Sequence, residues 1–161
     1  MISLQPVTYK NFDDVINLKA PEALVAPNIL SLADAYCSLK ETLESGELEY
    51  AETPYAILHD KEVVGFLMFT YEDGEDINAG SDIFWLSRFM IDDKHQGKGY
   101  GKAALALFID LVRSKPHGKA VKHIYTSIVP TSPVASKFYE SMGFVKTGGM
   151  LEDEELARFE L

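Results

Sequence analysis

The sequence is read most directly from one segment, Arg88-Phe-Met-Ile-Asp-Asp-Lys-His-Gln-Gly-Lys-Gly-Tyr-Gly-Lys102. It begins inside an apolar run, Ile83–Ile91, that is typical of a buried strand. It leads into Gly101–Ser114, a strongly apolar stretch with helical spacing that ends before Pro116. Between the two, glycines at alternate positions let the backbone approach a ligand and present successive N–H groups. Because a helix starts beside them, the segment is suited to hold phosphate.

Two common phosphate-binding motifs do not fit this segment. Ala103 occupies the Ser/Thr position that a Walker A loop requires, and Lys102 stands where a dinucleotide-binding fingerprint has its third glycine. Taken alone, the glycines are equally consistent with a turn that merely joins a strand to a helix. The interpretation therefore depends on the surrounding sequence.

Strand and helix patterns alternate on both sides of this segment. Strands are predicted, in addition to Ile83–Ile91, at Ile2–Val7, Tyr55–His59, Val63–Tyr71, Val121–Val129, Phe144–Thr147 and Leu156–Leu161. Helices are predicted at Asn11–Lys19, from a Ser31/Asp34 capping pair to Glu44, at Gly101–Ser114, and from the Ser132 cap to Met142. The order is β-α-α-β-β-β-α-β-α-β-β, which indicates one domain of mixed α/β (α+β) type over residues 1–161.

Composition limits the class of protein. The 161-residue chain is 47% hydrophobic with nine Phe and eight Tyr, which argues against disorder, and its net charge of −10 argues against a nucleic-acid partner. No apolar run approaches the roughly 18 residues that span a bilayer. The first residues lack the pattern of a signal peptide, so a cytoplasmic protein is expected. The lone Cys37 is predicted to be buried in a helix, and the four histidines have no metal-ligand spacing.

Charge is distributed unevenly along the chain. Residues 88–146 hold ten Lys/Arg and four Asp/Glu, whereas the remainder holds five bases and twenty-one acids. This asymmetry favours an anionic ligand on the later half and a cationic one elsewhere, although ordinary solvated surface would give the same count.

Two segments resemble signatures of the GNAT acetyltransferase superfamily. The loop Gln96-Gly-Lys-Gly-Tyr-Gly101 is similar to that family's Q/R-x-x-G-x-G/A motif. Ala135-Ser-Lys-Phe-Tyr-Glu-Ser-Met-Gly-Phe144 resembles its A-x-x-[LF]-Y-x-x-x-G-F passage, at the family's usual distance. The resemblance implies a GNAT fold, with a mostly antiparallel central sheet of about seven strands flanked by about four helices.

The resemblance also implies acetyl-CoA as co-substrate, no metal, and roles for named residues. The pyrophosphate would lie on the loop formed by Gln96, Gly97, Lys98, Gly99, Tyr100, Gly101 and Lys102, and the pantetheine arm would pair with Phe89, Met90 and Ile91. Thr131 and Ser132 stand where many members carry an Asn that contacts the cofactor arm, so a hydroxyl replaces an amide there. Tyr139 would protonate the departing thiolate; its alternative role is aromatic packing beside Ala135 and Met142.

The acceptor is expected to be a small primary amine. Val25–Tyr36 and Trp85–Asp92 resemble bacterial spermine/spermidine acetyltransferases, and a polycation would need separated carboxylates beside an aromatic wall. Phe84 and Trp85 are candidates for that wall. Glu22, Glu72 and Asp82 are candidates for amine binding and for a general base, since an alkyl ammonium must lose a proton before it attacks. An acidic loop that only keeps the protein soluble is the simpler alternative.

Two other functions remain open from the sequence. The acceptor could be another amine, such as a protein N-terminus, an amino acid or an aminoglycoside. The chain could instead be a non-catalytic acyl-CoA sensor whose acidic half binds a partner. Dimers are frequent among relatives of this type, so a homodimer is compatible with the resemblance.

Overall fold

A computed structural model describes residues 1–20 and 27–161. Across these residues it contains seven strands and four α-helices. The strands are β1 (Ile2–Pro6), β2 (Thr53–His59), β3 (Glu62–Glu72), β4 (Ile83–Ile91), β5 (His123–Ile128), β6 (Val145–Leu151) and β7 (Glu154–Glu160). The helices are α1 (Phe12–Ile16), α2 (Asn28–Ser45), α3 (Tyr100–Arg113) and α4 (Pro133–Ser141). Their order along the chain is the one predicted from the sequence.

All seven strands form one sheet in the order β1-β2-β3-β4-β5-β7-β6. Neighbouring strands are antiparallel except β4 and β5, which run parallel. The parallel pair is connected through α3, as a parallel connection requires. The predicted fold class, a mostly antiparallel mixed sheet with four helices, is confirmed.

The sheet opens in its middle, between β4 and β5. These strands pair only at Phe84 with Ile124 and Trp85 with Tyr125, near the start of each strand. Immediately after that point β4 has a bulge opposite β3, where Met68 pairs with Arg88 and Phe69 with Leu86, so that Ser87 is the extra residue. A bulge bends its strand and increases the local twist, which accounts for the end of pairing between β4 and β5 at this point; the unpaired part that follows is called the gap below.

A hydrophobic cluster covers each face of the sheet. On one face, Phe108 and other apolar residues of α3 pack with Tyr139 of α4 against β3 and β4. On the other face, Val15 of α1 and Leu32 of α2 pack against Phe66 and Met68 of β3. Successive β3 residues therefore supply both clusters alternately, which explains why this strand is buried from Val63 to Tyr71.

Two local predictions are wrong. Helix α2 starts at Asn28 rather than at a Ser31/Asp34 cap, because Pro27 serves as its N-cap and the Asn28 amide donates to the carbonyl of Val15 at 2.9 Å. Cys37 is exposed rather than buried, since it lies two residues beyond the inward-facing Ala35 and so projects from the opposite side of the helix. No helix in the described parts of the chain is long and apolar enough to cross a membrane.

Candidate active site

The gap between β4 and β5 leaves one edge of β4 available for an extended ligand. Within the described residues, no ladder pair joins the two strands beyond Trp85 and Tyr125. A buried hydroxyl bridges them at the start of the gap, where Thr126 donates to the carbonyl of Leu86 at 3.0 Å. The edge that follows comprises Phe89, Met90 and Ile91, the residues predicted to pair with a cofactor arm.

The glycine loop begins where β4 ends. The side-chain amide of Gln96 donates to the carbonyl of Ile91 at 3.1 Å and so ties the loop to the strand. Gly97 and Gly99 have φ of +73° and +78°, a conformation that L residues adopt only with strain, and no atom lies within 4 Å of a Cβ built on either. The loop thus presents an open backbone surface at the N-terminus of α3, which suits an anion.

Basic and aromatic residues of the loop take different positions. The Lys98 ammonium is 3.3 Å from Nδ1 of His95. Lys102 is exposed on the first turn of α3, and no carboxylate among the described residues lies within 4.0 Å of it. The ring of Tyr100 stacks on His59 with centroids 4.7 Å apart, so its side chain packs against the fold while its backbone begins the helix.

Tyr139 lies on the α3/α4 face of the gap. Its side chain is 8% exposed and its ring packs edge-on against Phe138 and Phe144. Burial raises the pKa of the Tyr139 hydroxyl to about 12, although a hydrogen bond with Thr126 partly opposes this. The Tyr139 hydroxyl is therefore protonated at neutral pH. Its neighbour Thr126 in turn donates a hydrogen bond to the Leu86 carbonyl.

Thr131 and Ser132, the two hydroxyl residues predicted to contact the cofactor arm, lie at the start of α4. Ser132 accepts a hydrogen bond from the Ala135 amide at 3.4 Å and serves as the helix N-cap, while Thr131 is exposed. Further along the helix, Phe138 stacks on Phe89 with centroids 5.6 Å apart. A Cβ on Gly101 would lie only 3.3 Å from the Phe138 ring, so Gly101 permits α3 and α4 to approach each other.

Two half-buried glutamates lie near each other on the α1/α2 face of the sheet. Glu72 ends β3, on the same face as Thr70, whose cross-strand partner is Trp85. Burial, followed by repulsion from Glu52, Asp76 and Asp73, raises the pKa of Glu72 to about 7. Burial also raises the pKa of Glu52, the hydrogen bond from Ser87 partly opposes this rise, and Asp34 of α2 adds a smaller increase. The carboxylate of Glu52 accepts a hydrogen bond from Ser87, the bulge residue of β4, at 3.1 Å.

The remaining residues predicted to bind the acceptor amine differ in how exposed they are. Phe84 has no exposed surface and packs edge-on against Phe69 and Tyr71, so it belongs to the core and cannot form the predicted wall. Asp82 accepts a hydrogen bond from the Tyr71 hydroxyl. Trp85 is half-buried on the same face as Glu72. Glu22 lies outside the described residues.

Sequence patterns did not identify four residues of this region: Glu52, Ser87, Thr126 and Phe138. Ser87 and Thr126 were within predicted strands, but a bulge and a strand divergence have no signature in a single sequence. Glu52 reaches the site only because the segment before β2 crosses over β3, where Thr70 donates to the carbonyl of Tyr50 at 3.0 Å. Within residues 1–20 and 27–161, no three His, Cys, Asp or Glu side chains are grouped to hold a metal ion.

Comparison with known proteins supports the family resemblance noted in the sequence. The family model described as "Acetyltransferase (GNAT) family" matches residues 21–144. A spermine/spermidine N(1)-acetyltransferase of Bacillus subtilis (strain 168) is 29% identical over 147 residues, which cover 91% of this chain and 90% of that protein.

Solved structures of low sequence identity share the fold. PaiA N-acetyltransferase of Thermoplasma acidophilum, in complex with coenzyme A, has a TM-score of 0.68 at 13% identity. The alignment covers 100% of this chain and 99% of the PaiA chain. Arabidopsis thaliana Naa50, in complex with a CoA-containing bisubstrate analogue, has a TM-score of 0.67 at 18% identity, covering 99% of both chains.

The family match, over residues 21–144, contains all elements from α2 to α4, the glycine loop and Tyr139. It confirms the predicted enzyme class, an acyltransferase that uses acetyl-CoA as co-substrate. The chain belongs to the GNAT family of acetyltransferases.

Proposed function

We propose that this enzyme transfers the acetyl group of acetyl-CoA to a primary amine of a polyamine such as spermine or spermidine. The observation that carries the proposal is the pair of half-buried glutamates, Glu52 and Glu72, on the α1/α2 face of the sheet, where Trp85 is also half-buried. A polyamine is a flexible chain of ammonium groups separated by methylenes. Such a ligand is complemented by carboxylates for the charges and an aromatic side chain for the methylenes.

The pKa of Glu72 supports a cationic ligand. A carboxylate that is half-buried near other acids is destabilised in its charged form, and an ammonium group placed beside it would relieve that cost. The name of the Bacillus subtilis relative, which covers nearly the whole chain, points to the same class of acceptor.

The donor side is proposed to bind on the glycine loop and the β4 edge. Backbone amides of Gln96 to Gly101 and the N-terminus of α3 would hold the pyrophosphate, with Lys102 contributing charge. The extended arm would pair with the backbone of Phe89, Met90 and Ile91. The open surface around Gly97 and Gly99 fits this role, since a side chain there would occupy the ligand's space.

The proposed reaction is a direct transfer in a ternary complex. The amine nitrogen attacks the acetyl carbonyl carbon and the C–S bond breaks. The nitrogen loses one proton to a base or to water, the sulfur gains one from Tyr139, and Tyr139 is then reprotonated from solvent. A backbone amide of β4 would stabilise the negative charge that develops on the carbonyl oxygen. Tyr139 is suited to the donor role because its raised pKa keeps it protonated up to alkaline pH.

The test is CoA thiol release from acetyl-CoA across a panel of amines: spermine, spermidine, putrescine, lysine, an aminoglycoside and a short peptide with a free N-terminus. We expect the highest kcat/KM for the longer polyamines, because they span more than one carboxylate. Preference for the peptide or the aminoglycoside would overturn the polyamine proposal. Binding of acetyl-CoA with no release for any amine would instead favour the acyl-CoA sensor.

A further inference from the structure

We infer that Glu52 accepts the proton of the attacking amine, so that the base and the acid act on one point of β4 from opposite faces of the sheet. The inference rests on the proposed function and names a residue within it. Its basis is the arrangement of Glu52, Ser87, Leu86 and Tyr139 around the start of the gap between β4 and β5.

Hydrogen bonds connect both side chains to consecutive residues of β4. On the α3/α4 face, Tyr139 bonds to Thr126, which donates to the carbonyl of Leu86. On the α1/α2 face, Ser87 bonds to Glu52. Residues 86 and 87 are also where β4 leaves β5 and where the bulge lies. An acetyl group on the open edge here would have Tyr139 on one side and Glu52 on the other.

The position of Glu52 is fixed by its surroundings. Its backbone N–H donates to the hydroxyl of Ser38 on α2 at 3.1 Å, and its side chain crosses β3 to reach Ser87. The Ser87 hydroxyl also lies 3.1 Å from the carbonyl of Met68. The Ser87 hydroxyl is therefore shared between two acceptors, the Glu52 carboxylate and the Met68 carbonyl. These contacts hold the Glu52 carboxylate beside Ser87 of β4.

Neighbouring groups favour the same role. Asp34 on α2 disfavours the charged form of Glu52, and Glu52 in turn disfavours the charged form of Glu72 on β3. Arg88, which follows Ser87, donates to the Asn28 side chain at 3.1 Å. A carboxylate whose pKa is raised by burial is a better proton acceptor for an amine than an ordinary surface glutamate. Glu72, farther along the same face, remains available to bind a second ammonium.

The experiment compares Glu52→Gln with two matched variants, Glu72→Gln in the same pair and Glu44→Gln on the exposed surface of α2. Rates are measured with the best amine of the panel. Glu52→Gln is expected to lower kcat by about 100-fold or more, in the range typical of general base catalysis, with KM changed only a few-fold. Glu72→Gln should act mainly on KM, and Glu44→Gln on neither. Unchanged acetyl-CoA affinity shows that each variant is folded.

A second pair of acceptors separates proton acceptance from positioning. Propylamine is almost wholly protonated at pH 7, because only about one alkyl amine in a thousand is neutral there. Methoxyamine, of similar size, is neutral at pH 7. If Glu52 removes the proton, Glu52→Gln should reduce turnover of propylamine far more than turnover of methoxyamine.

Each outcome has a distinct meaning. Equal losses with both small amines, or a kcat within a few-fold of wild type, would overturn the assignment of Glu52 while leaving the proposed acetyl transfer intact. Absence of turnover by the wild-type enzyme with every amine would overturn the proposed function and the Glu52 assignment together.

Discussion

Replacing Tyr139 with Phe removes one hydroxyl and leaves the ring in place. The ring accounts for most of the packing, since it contacts Phe138 and Phe144 inside the larger hydrophobic cluster. The lost hydrogen bond to Thr126 is worth about 1 kcal/mol, and Thr126 keeps its bond to the Leu86 carbonyl. For a protein of this size, such a loss lowers Tm by about 2–4 °C. The variant should therefore remain folded at assay temperature.

The expected effect on turnover is much larger than the effect on stability. Loss of a general acid typically costs 10²–10⁴-fold, and we expect about 100-fold because a thiolate, with a parent pKa of about 8.5, leaves more readily than an alkoxide or amide. The measurement is kcat for CoA release with spermidine, together with acetyl-CoA affinity and Tm. Tyr139→Ala is unsuitable, because it would also create a cavity costing about 3–5 kcal/mol. A Tyr139→Phe enzyme that keeps kcat within a few-fold of wild type would refute the proton-donor role.

Three further predictions concern the loop, the acidic face and the exposed cysteine. Gly99→Ala places a Cβ at φ +78° and in the open surface of the loop, so acetyl-CoA affinity measured by calorimetry should fall at least tenfold with a Tm loss of only a few degrees. The pKa of Glu72 is about 7 in the folded protein and 4.5 as its ordinary value. The contribution of Glu72 to the free energy of unfolding is therefore greatest below pH 4.5 and is lost as the pH rises through about 7. Glu72→Gln should therefore have a higher Tm than wild type at pH 8 and little advantage at pH 4; an equal advantage at both would contradict this. Cys37→Ser should change neither kcat nor stability beyond about 0.5 kcal/mol, because Cys37 is exposed on α2; a large loss of turnover would indicate an acetyl-cysteine intermediate.

The sequence predicted the order of elements because each strand and helix carries its own periodicity. Val63–Tyr71 and Gly101–Ser114 fall within one or two residues of β3 and α3. Gly46, at φ +85°, ends α2 at the expected place, one residue after Ser45. The start of α2 was not predicted because Pro27 competes with Ser31 as a cap, and only the contact between Asn28 and Val15 decides between them.

The site was predictable on the donor side and much less so on the acceptor side. The loop and Tyr139 lie in contiguous motifs, so their resemblance to a family is visible in the sequence alone. The proposed acceptor face combines residues far apart in the chain, Glu52, Glu72 and Ser87, whose proximity follows from a bulge and from strand pairing. Phe84 and Trp85 are both aromatic, but they lie on opposite faces of β4. Only the register of the strand shows that Phe84 is in the core and that Trp85 alone is exposed enough to contact a ligand.

The central claim, direct transfer of acetyl from acetyl-CoA to a polyamine within the gap between β4 and β5, is tested most directly by initial rates of CoA release with acetyl-CoA and spermidine varied together. The account predicts turnover with intersecting double-reciprocal lines, and no acetyl group on the protein after incubation with acetyl-CoA alone. Parallel lines with an acetylated protein, or no release although acetyl-CoA binds, would contradict it.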